Sequence, residues 1–251
     1  MTEEERTKGT VSSFRYSLDI TDEDLFHCPK CGDEGYVEVS ECGHVWMREC
    51  ECMAVRRSLK KAKQSGLIHL LRHCTLDNFD TSYPWQKKAR DMAKGYVVDH
   101  DGKWFFMGGQ VGGGKTHLCT GIVGEFLKMG MECRYMLWRD EAVKLKAMVT
   151  NDERYEKSMG ELKRVKVLYI DDFFKTEKGK APTAGDVNIA FELLNFRYVN
   201  KDMITIVSSE RDISEILKID EAVGSRIYER AKEYCLIIEA DPDKNFRIRR
   251  T

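Results

Sequence analysis

Apolar positions change their period along this chain, and each change marks an element. Lys103-Trp104-Phe105-Phe106-Met107 is a short apolar run suited to a buried strand. From 117 to 129 the apolar residues Leu118, Ile122, Val123, Phe126 and Leu127 fall at helical spacing instead. The same exchange repeats downstream. Strand-like segments at 132–137, 165–172, 203–207 and 234–238 are separated by helical stretches at 139–162, 185–200 and 224–230. Upstream, 53–63 and 84–98 read as helices, while 35–39 and 44–47 alternate with period two like a small hairpin. Strands that alternate with helices predict an α/β fold with a parallel sheet, whose ligand lies at the carboxyl ends of the strands. Ser65-Gly66 ends the first helix. The expected division is therefore a small N-terminal domain with a basic connector at 1–66 and a larger α/β domain at 67–251.

Composition narrows this picture only slightly. The chain has 251 residues, of which 42% are hydrophobic and 33% charged, and a formal net charge of −1. That balance carries no global nucleic-acid signal, so any such contact must come from local patches. One candidate patch is Arg56, Arg57, Lys60, Lys61 and Lys63 on the first helix. A solvated helix face is the favoured reading and nucleic-acid contact the alternative. Residues 1–25 are acidic with isolated apolar points (Phe14, Tyr16, Leu18, Ile20, Leu25), which suits either a mobile arm or a short helix that docks on a partner. The loop 176–183, rich in lysine and glycine, is expected to be mobile. No apolar run approaches the ~20 residues that cross a bilayer. The opening Met1-Thr2-Glu3-Glu4-Glu5 does not resemble a secretory leader, so a cytoplasmic location away from membranes is expected. In that compartment the nine cysteines should be reduced or metal-bound.

The chemistry concentrates in three stretches. The first is Gly109-Gln110-Val111-Gly112-Gly113-Gly114-Lys115-Thr116-His117, which fits G-x-x-x-x-G-K-[ST] between a strand and a helix. Glycines permit positive φ and close approach, so consecutive N–H groups can surround a phosphate at the helix N-terminus. Lys115 is expected to reach the β- and γ-phosphates of ATP or ADP, and Thr116 to bind Mg²⁺. The second stretch is Val165-Lys166-Val167-Leu168-Tyr169-Ile170-Asp171-Asp172, a strand ending in two carboxylates. Asp171 would hold the Mg²⁺ through its water shell, and Asp172 would orient or deprotonate an attacking water. The strand at 203–207 runs into Ser208-Ser209-Glu210, polar side chains placed to face a γ-phosphate.

The third stretch is Cys28-Pro29-Lys30-Cys31-Gly32 with Cys50-Glu51-Cys52. Two thiolates two residues apart can point at one centre, and four close a tetrahedral structural Zn²⁺ site. The expected ligands are Cys28, Cys31, Cys50 and Cys52, with Cys42 or His44 able to replace one of the last two. So small a module has little core of its own, and zinc would supply much of its stability.

In this order these motifs resemble the DnaC/DnaI-type helicase loaders of the AAA+ class, especially phage and prophage forms. The resemblance runs from the cysteine pairs through Phe79, Gly114-Lys115-Thr116-His117-Leu118, Tyr169-Ile170-Asp171-Asp172 and Ser208-Ser209-Glu210 to Gly224-Ser225-Arg226-Ile227-Tyr228-Glu229-Arg230 and Arg247. It implies an ATPase that places a replicative hexameric helicase on single-stranded DNA, with the zinc domain gripping the helicase. It further implies that Arg230, with Arg226 one turn before it, is an arginine finger acting on a neighbouring subunit, so the chain self-associates. Arg247 would be the sensor-2 arginine in its own subunit. Two positions depart from the pattern: Ser209 takes a sensor-1 place often held by Asn, and Asp172 stands where many relatives carry Glu, which suggests slow hydrolysis. An IstB-type transposition helper and a nucleotide-binding adaptor without hydrolysis are the competing readings.

Overall fold

The computed structural model describes residues 27–177 and 180–248. The acidic segment 1–25, Lys178 and Gly179 of the 176–183 loop, and Arg249 and Arg250 lie outside the described residues.

Five parallel strands form the central sheet in the order β4-β5-β6-β3-β7. They are β3 (Trp104–Gly109), β4 (Cys133–Leu137), β5 (Val167–Asp171), β6 (Ile204–Ser208) and β7 (Cys235–Ile238). The inner strands are buried along their whole length, as a sheet covered on both faces requires. Side-chain parity divides them between two cores. Phe105, Met107, Val167, Tyr169, Ile204 and Ile206 face one layer. Trp104, Phe106, Leu168, Ile170 and Val207 face the other.

The first layer contains α1 (Cys52–Gln64), α2 (Leu67–His73), α3 (Pro84–Val98) and α4 (Lys115–Lys128). The second contains α5 (Trp138–Met148), α6 (Asp152–Arg164), α7 (Ala184–Val199), α8 (Ile213–Ile219) and α9 (Glu221–Ala231). Helix α4 stops where Gly130 takes φ 80° and lets the Met131 N–H return to the Phe126 carbonyl.

The cysteine module is a two-stranded antiparallel hairpin, β1 (Tyr36–Glu41) and β2 (His44–Glu49), leading directly into α1. That helix packs on edge strand β4, where the Ser58 hydroxyl accepts the otherwise unpaired Cys133 N–H at 2.8 Å. The connector's cations mostly meet acids. Arg56 pairs with Asp33, Arg57 with Glu49 at 2.8 Å, and Lys61 with Glu161 at 3.2 Å. Among the described residues no helix is long and apolar enough to cross a membrane.

Candidate nucleotide site

The carboxyl ends of β3, β5 and β6 meet at one edge of the sheet and leave a cleft of about 220 Å³. Val111, Gly112, Gly114, Lys115, Thr116, His117, Asp172, Lys175, Glu210 and Arg247 line it. The loop before α4 depends on its glycines. Gly109 has φ 93°, and a Cβ there would lie 2.2 Å from the Ile238 carbonyl oxygen. Gly114, at φ 81°, is the N-cap of α4 and provides no side-chain acceptor. The first-turn N–H groups of that helix are thus left for an anion, at the end where the helix dipole favours one.

Lys115 folds back across its own loop and donates to the Gly109 and Gln110 carbonyls, both at 2.7 Å. Burial lowers its pKa, opposed by the nearby Glu210 and Asp172 charges. His117 is tied sideways. Its Nε2 lies 3.0 Å from the Thr75 carbonyl and 2.9 Å from Asn78 Oδ1, and its ring meets Phe79 edge-on. The Leu76-Asp77-Asn78-Phe79 segment is thereby fixed against the glycine loop.

Asp171 stands at the centre of the oxygen donors. Its Oδ1 accepts from the Ser208 hydroxyl, from the Asp172 N–H at 3.1 Å, and from Thr116 Oγ1 at 3.5 Å. Its Oδ2 accepts from Tyr135 at 3.0 Å. Burial, followed by the Asp171 charge, raises the Tyr135 pKa, so the phenol stays a donor. A hydroxyl beside an ionised carboxylate is the hard-oxygen pair that Mg²⁺ prefers, and Thr116 with Asp171 fits that ion.

Asp172 also lines the cleft but is already paired, its Oδ2 lying 2.8 Å from Lys175 Nζ. The same ammonium lies 2.8 Å from Glu210 Oε1. Burial lowers the Lys175 pKa, and its bonds to these two carboxylates more than offset it, for a net rise.

Ser209 is the sequence candidate that the structure does not bring to the cleft. It is fully buried, donates to the Phe173 carbonyl at 2.8 Å and accepts the Arg211 N–H at 3.0 Å. The reason is parity: Ser208 turns to Asp171, so Ser209 must turn away and Glu210 turns back. Ser209, expected at the phosphate, therefore does not line the cleft, whereas Glu210 does. Lys175 and Tyr135 are further residues at the cleft and around Asp171 that the motifs did not single out.

Arg247 lines the cleft, but Arg226 and Arg230 do not. Both lie on α9. Arg230 packs over Trp104 and Tyr198, near the start of β3, ~17 Å of strand away from the glycine loop. Its Nε and Nη2 are buried and find no acceptor among the described residues, and burial lowers its pKa. Arg226 donates to Asn195 Oδ1 at 3.1 Å and to the Ala222 carbonyl at 2.7 Å, with its guanidinium over Phe191.

Outside this cleft, the Sγ atoms of Cys28, Cys31, Cys50 and Cys52 all lie within 4.8 Å of one another. Two of the separations are 3.8 Å (Cys28–Cys50) and 3.6 Å (Cys31–Cys52). Tetrahedral zinc with Zn–S near 2.3 Å places its sulfurs roughly 3.8 Å apart, so the four thiols fit that ion. Cys42 is exposed at the hairpin turn with φ 50°, and His44 is exposed beside it. Neither belongs to the cluster.

A five-stranded parallel sheet in this order, with a glycine loop after its β3 strand and acids at the end of β5, is the architecture of an AAA+ ATP-binding protein. The chain belongs to the family described as IstB-like ATP binding protein, whose model matches residues 35–250. It is 32% identical over 231 residues to the phage-like element PBSX protein XkdC of Bacillus subtilis (strain 168), covering 87% of this chain and 85% of that one. It is 28% identical over 128 residues to the replicative helicase loader DnaC of Escherichia coli (strain K12), covering 50% of this chain and 51% of that protein. The crystal structure of DnaI shares the fold, with a TM-score of 0.55 at 23% identity over 68% of this chain and 92% of that one.

Proposed function

We propose that this protein is an ATP-dependent loader that places a replicative hexameric helicase on single-stranded DNA. The observation that carries the proposal is the union, in one chain, of the phosphate cleft with a four-cysteine module. Similarity to a helicase loader over half the chain supports it.

In this reading Lys115 exchanges the Gly109 and Gln110 carbonyls for the β- and γ-phosphates. Thr116 and Asp171 hold magnesium, which neutralises phosphate charge when bound. Asp172 takes the proton of the attacking water. Arg226 and Arg230, which lie outside their own cleft, serve a neighbouring copy, and Arg247 serves its own. The module formed by the hairpin with Cys28, Cys31, Cys50 and Cys52 is the helicase-facing part.

The test is capture of the cognate replicative helicase by the full chain with ATP, with ADP and without nucleotide. Nucleotide-dependent capture is expected, and Lys115→Ala should abolish the dependence. Helicase loading that survives Lys115→Ala overturns the switch. Asp172→Asn should leave ATP binding in place and slow turnover by about 10²-fold or more. Turnover at background level in the unmodified chain, with and without single-stranded DNA, would favour a non-hydrolysing adaptor.

A transposition helper is the second reading, and the family description favours it. Stimulation of turnover by duplex rather than single-stranded DNA would select it.

A further inference from the structure

The cleft contains an ion-pair bridge that this assignment does not use. Lys175 joins Asp172 and Glu210, and all three side chains line the same space as Lys115 and Thr116. The backbone is bent to put them there. Asp172 and Phe174 both adopt left-handed φ, 54° and 56°, a strained backbone for residues other than glycine.

Several contacts hold the bend. The Phe173 N–H donates to the Ser208 carbonyl at 2.8 Å, and the Lys175 N–H to the Asp172 carbonyl at 2.9 Å. Ser209 Oγ donates to the Phe173 carbonyl, and Arg211 Nε to the Phe174 carbonyl at 3.3 Å. Phe173 and Phe174 stack at 4.1 Å, and both meet Trp138 edge-on. Two strained residues, secured this heavily to the tip of β6, fix where the next side chain starts. That side chain is Lys175.

Charge indicates the purpose. Asp171, Asp172 and Glu210 stand together at the carboxyl ends of β5 and β6, and a terminal phosphate entering there meets like charge. Lys115 is bonded to uncharged carbonyls of its own loop. Lys175 is the cation in direct contact with Asp172 and Glu210, and at about one-third exposure it can turn toward an incoming anion.

We propose that Lys175 is a γ-phosphate-contacting residue that discriminates triphosphate from diphosphate within one subunit, its ammonium passing from the Asp172–Glu210 bridge to the terminal phosphate. The exchange frees Asp172 when a triphosphate is present. A diphosphate brings no group that competes with two carboxylates, so the bridge stays closed. The inference rests on the ATP reading above.

The experiment is titration calorimetry of the full chain with magnesium and either ADP or a non-hydrolysable ATP analogue. Lys175→Met should weaken the triphosphate analogue by about tenfold or more and change ADP affinity by less than about threefold. Lys175→Arg should recover most of the loss. Equal weakening of both nucleotides, or no weakening of either, overturns the inference while leaving the nucleotide site in place. Failure of the unmodified chain to bind either nucleotide overturns the ATP reading and this inference with it.

Discussion

Arg197 is fully buried, and its partners are backbone oxygens rather than a carboxylate. Its guanidinium donates to the carbonyls of Leu162 (3.1 Å), Lys163 (3.0 Å), Val165 (2.9 Å) and Ile204 (2.6 Å), and its Nε to Thr205 Oγ1 at 2.9 Å. Burial lowers its pKa to about 9. The side chain closes the carboxyl end of α6 and ties it to the start of β6. Arg197→Met would leave those carbonyls buried without donors, and a loss of about 3 kcal/mol or more is expected in urea denaturation. Unchanged stability would mean that water or a neighbouring donor takes over. The sequence gives little warning of such a residue, because an arginine late in a helix is ordinarily solvated. Glu210 is different: counting by two from Ser208 identifies it, whereas picking Ser209 by likeness to a motif ignores which way each side chain must point.

At the scale of elements, strands were easier to read than helix ends. The apolar runs at 103–107 and 165–172 became β3 and β5 because a doubly covered strand must be apolar throughout. The stretch 139–162 reads as one helix but is two, broken where Asn151 caps α6 by accepting the Arg154 N–H at 3.1 Å. Asn151-Asp152-Glu153 is a start signal that continuous helical periodicity hides. Helix α8 has a capping box of Asp212 and Glu215 but leaves little periodic trace, since its seven residues bury little beyond Ile216. Helix α2 is equally short and follows Gly66 without a side-chain cap.

Helix α7 carries a pH dependence that can be predicted. Asp186 Oδ2 accepts from the Thr183 N–H at 2.9 Å and its hydroxyl at 2.6 Å, and Oδ1 lies 2.8 Å from Lys146 Nζ. Burial pushes the carboxyl up, but these bonds prevail and hold it below its ordinary 3.8. The ionised form is therefore favoured by folding. Its contribution is present above pH ~4 and is lost as pH falls through the lower folded value. Asp186→Asn should cost about 1 kcal/mol at neutral pH and flatten the stability–pH curve below pH 4, measured by denaturation at a series of pH values. A curve unchanged in shape would exclude this carboxyl as a contributor.

At the scale of the whole molecule, the cysteine module shares a core with the sheet. Cys28, Cys50 and Cys52 belong to the same apolar cluster as Val55, Leu59, Leu71 and the near face of β3. The hairpin itself leaves Val45, Trp46 and Met47 exposed at 61%, 43% and 58%, and buries too little to stand alone. Removing metal with a chelator is expected to unfold β1 and β2 and to loosen α1, read as loss of hydrogen-exchange protection from Tyr36 through Leu59. Protection at the Cys133 N–H should fall too, because its acceptor is on α1. Protection that persists after chelation would show that the four thiols hold the module without an ion. The cysteine spacing pointed to this cluster directly. The attachment to β4 was not legible, because a hydroxyl at Ser58 carries no sign of the strand 75 residues away that it serves.

Cys52 is at once a member of the thiol cluster and the first residue of α1. From there to Gln64 the chain is one unbroken helix lying on β4. A cargo seated on the hairpin would thus ride on a stiff bracket, not a swivelling tether. Whatever displacement phosphate chemistry imposes on one margin of the sheet would reach that cargo as rotation of a single solid piece. If the proposed loader activity holds, inserting a few glycines after Cys52 should uncouple grip from stroke: helicase capture and nucleotide turnover, each assayed alone, would persist while nucleotide-dependent loading is lost.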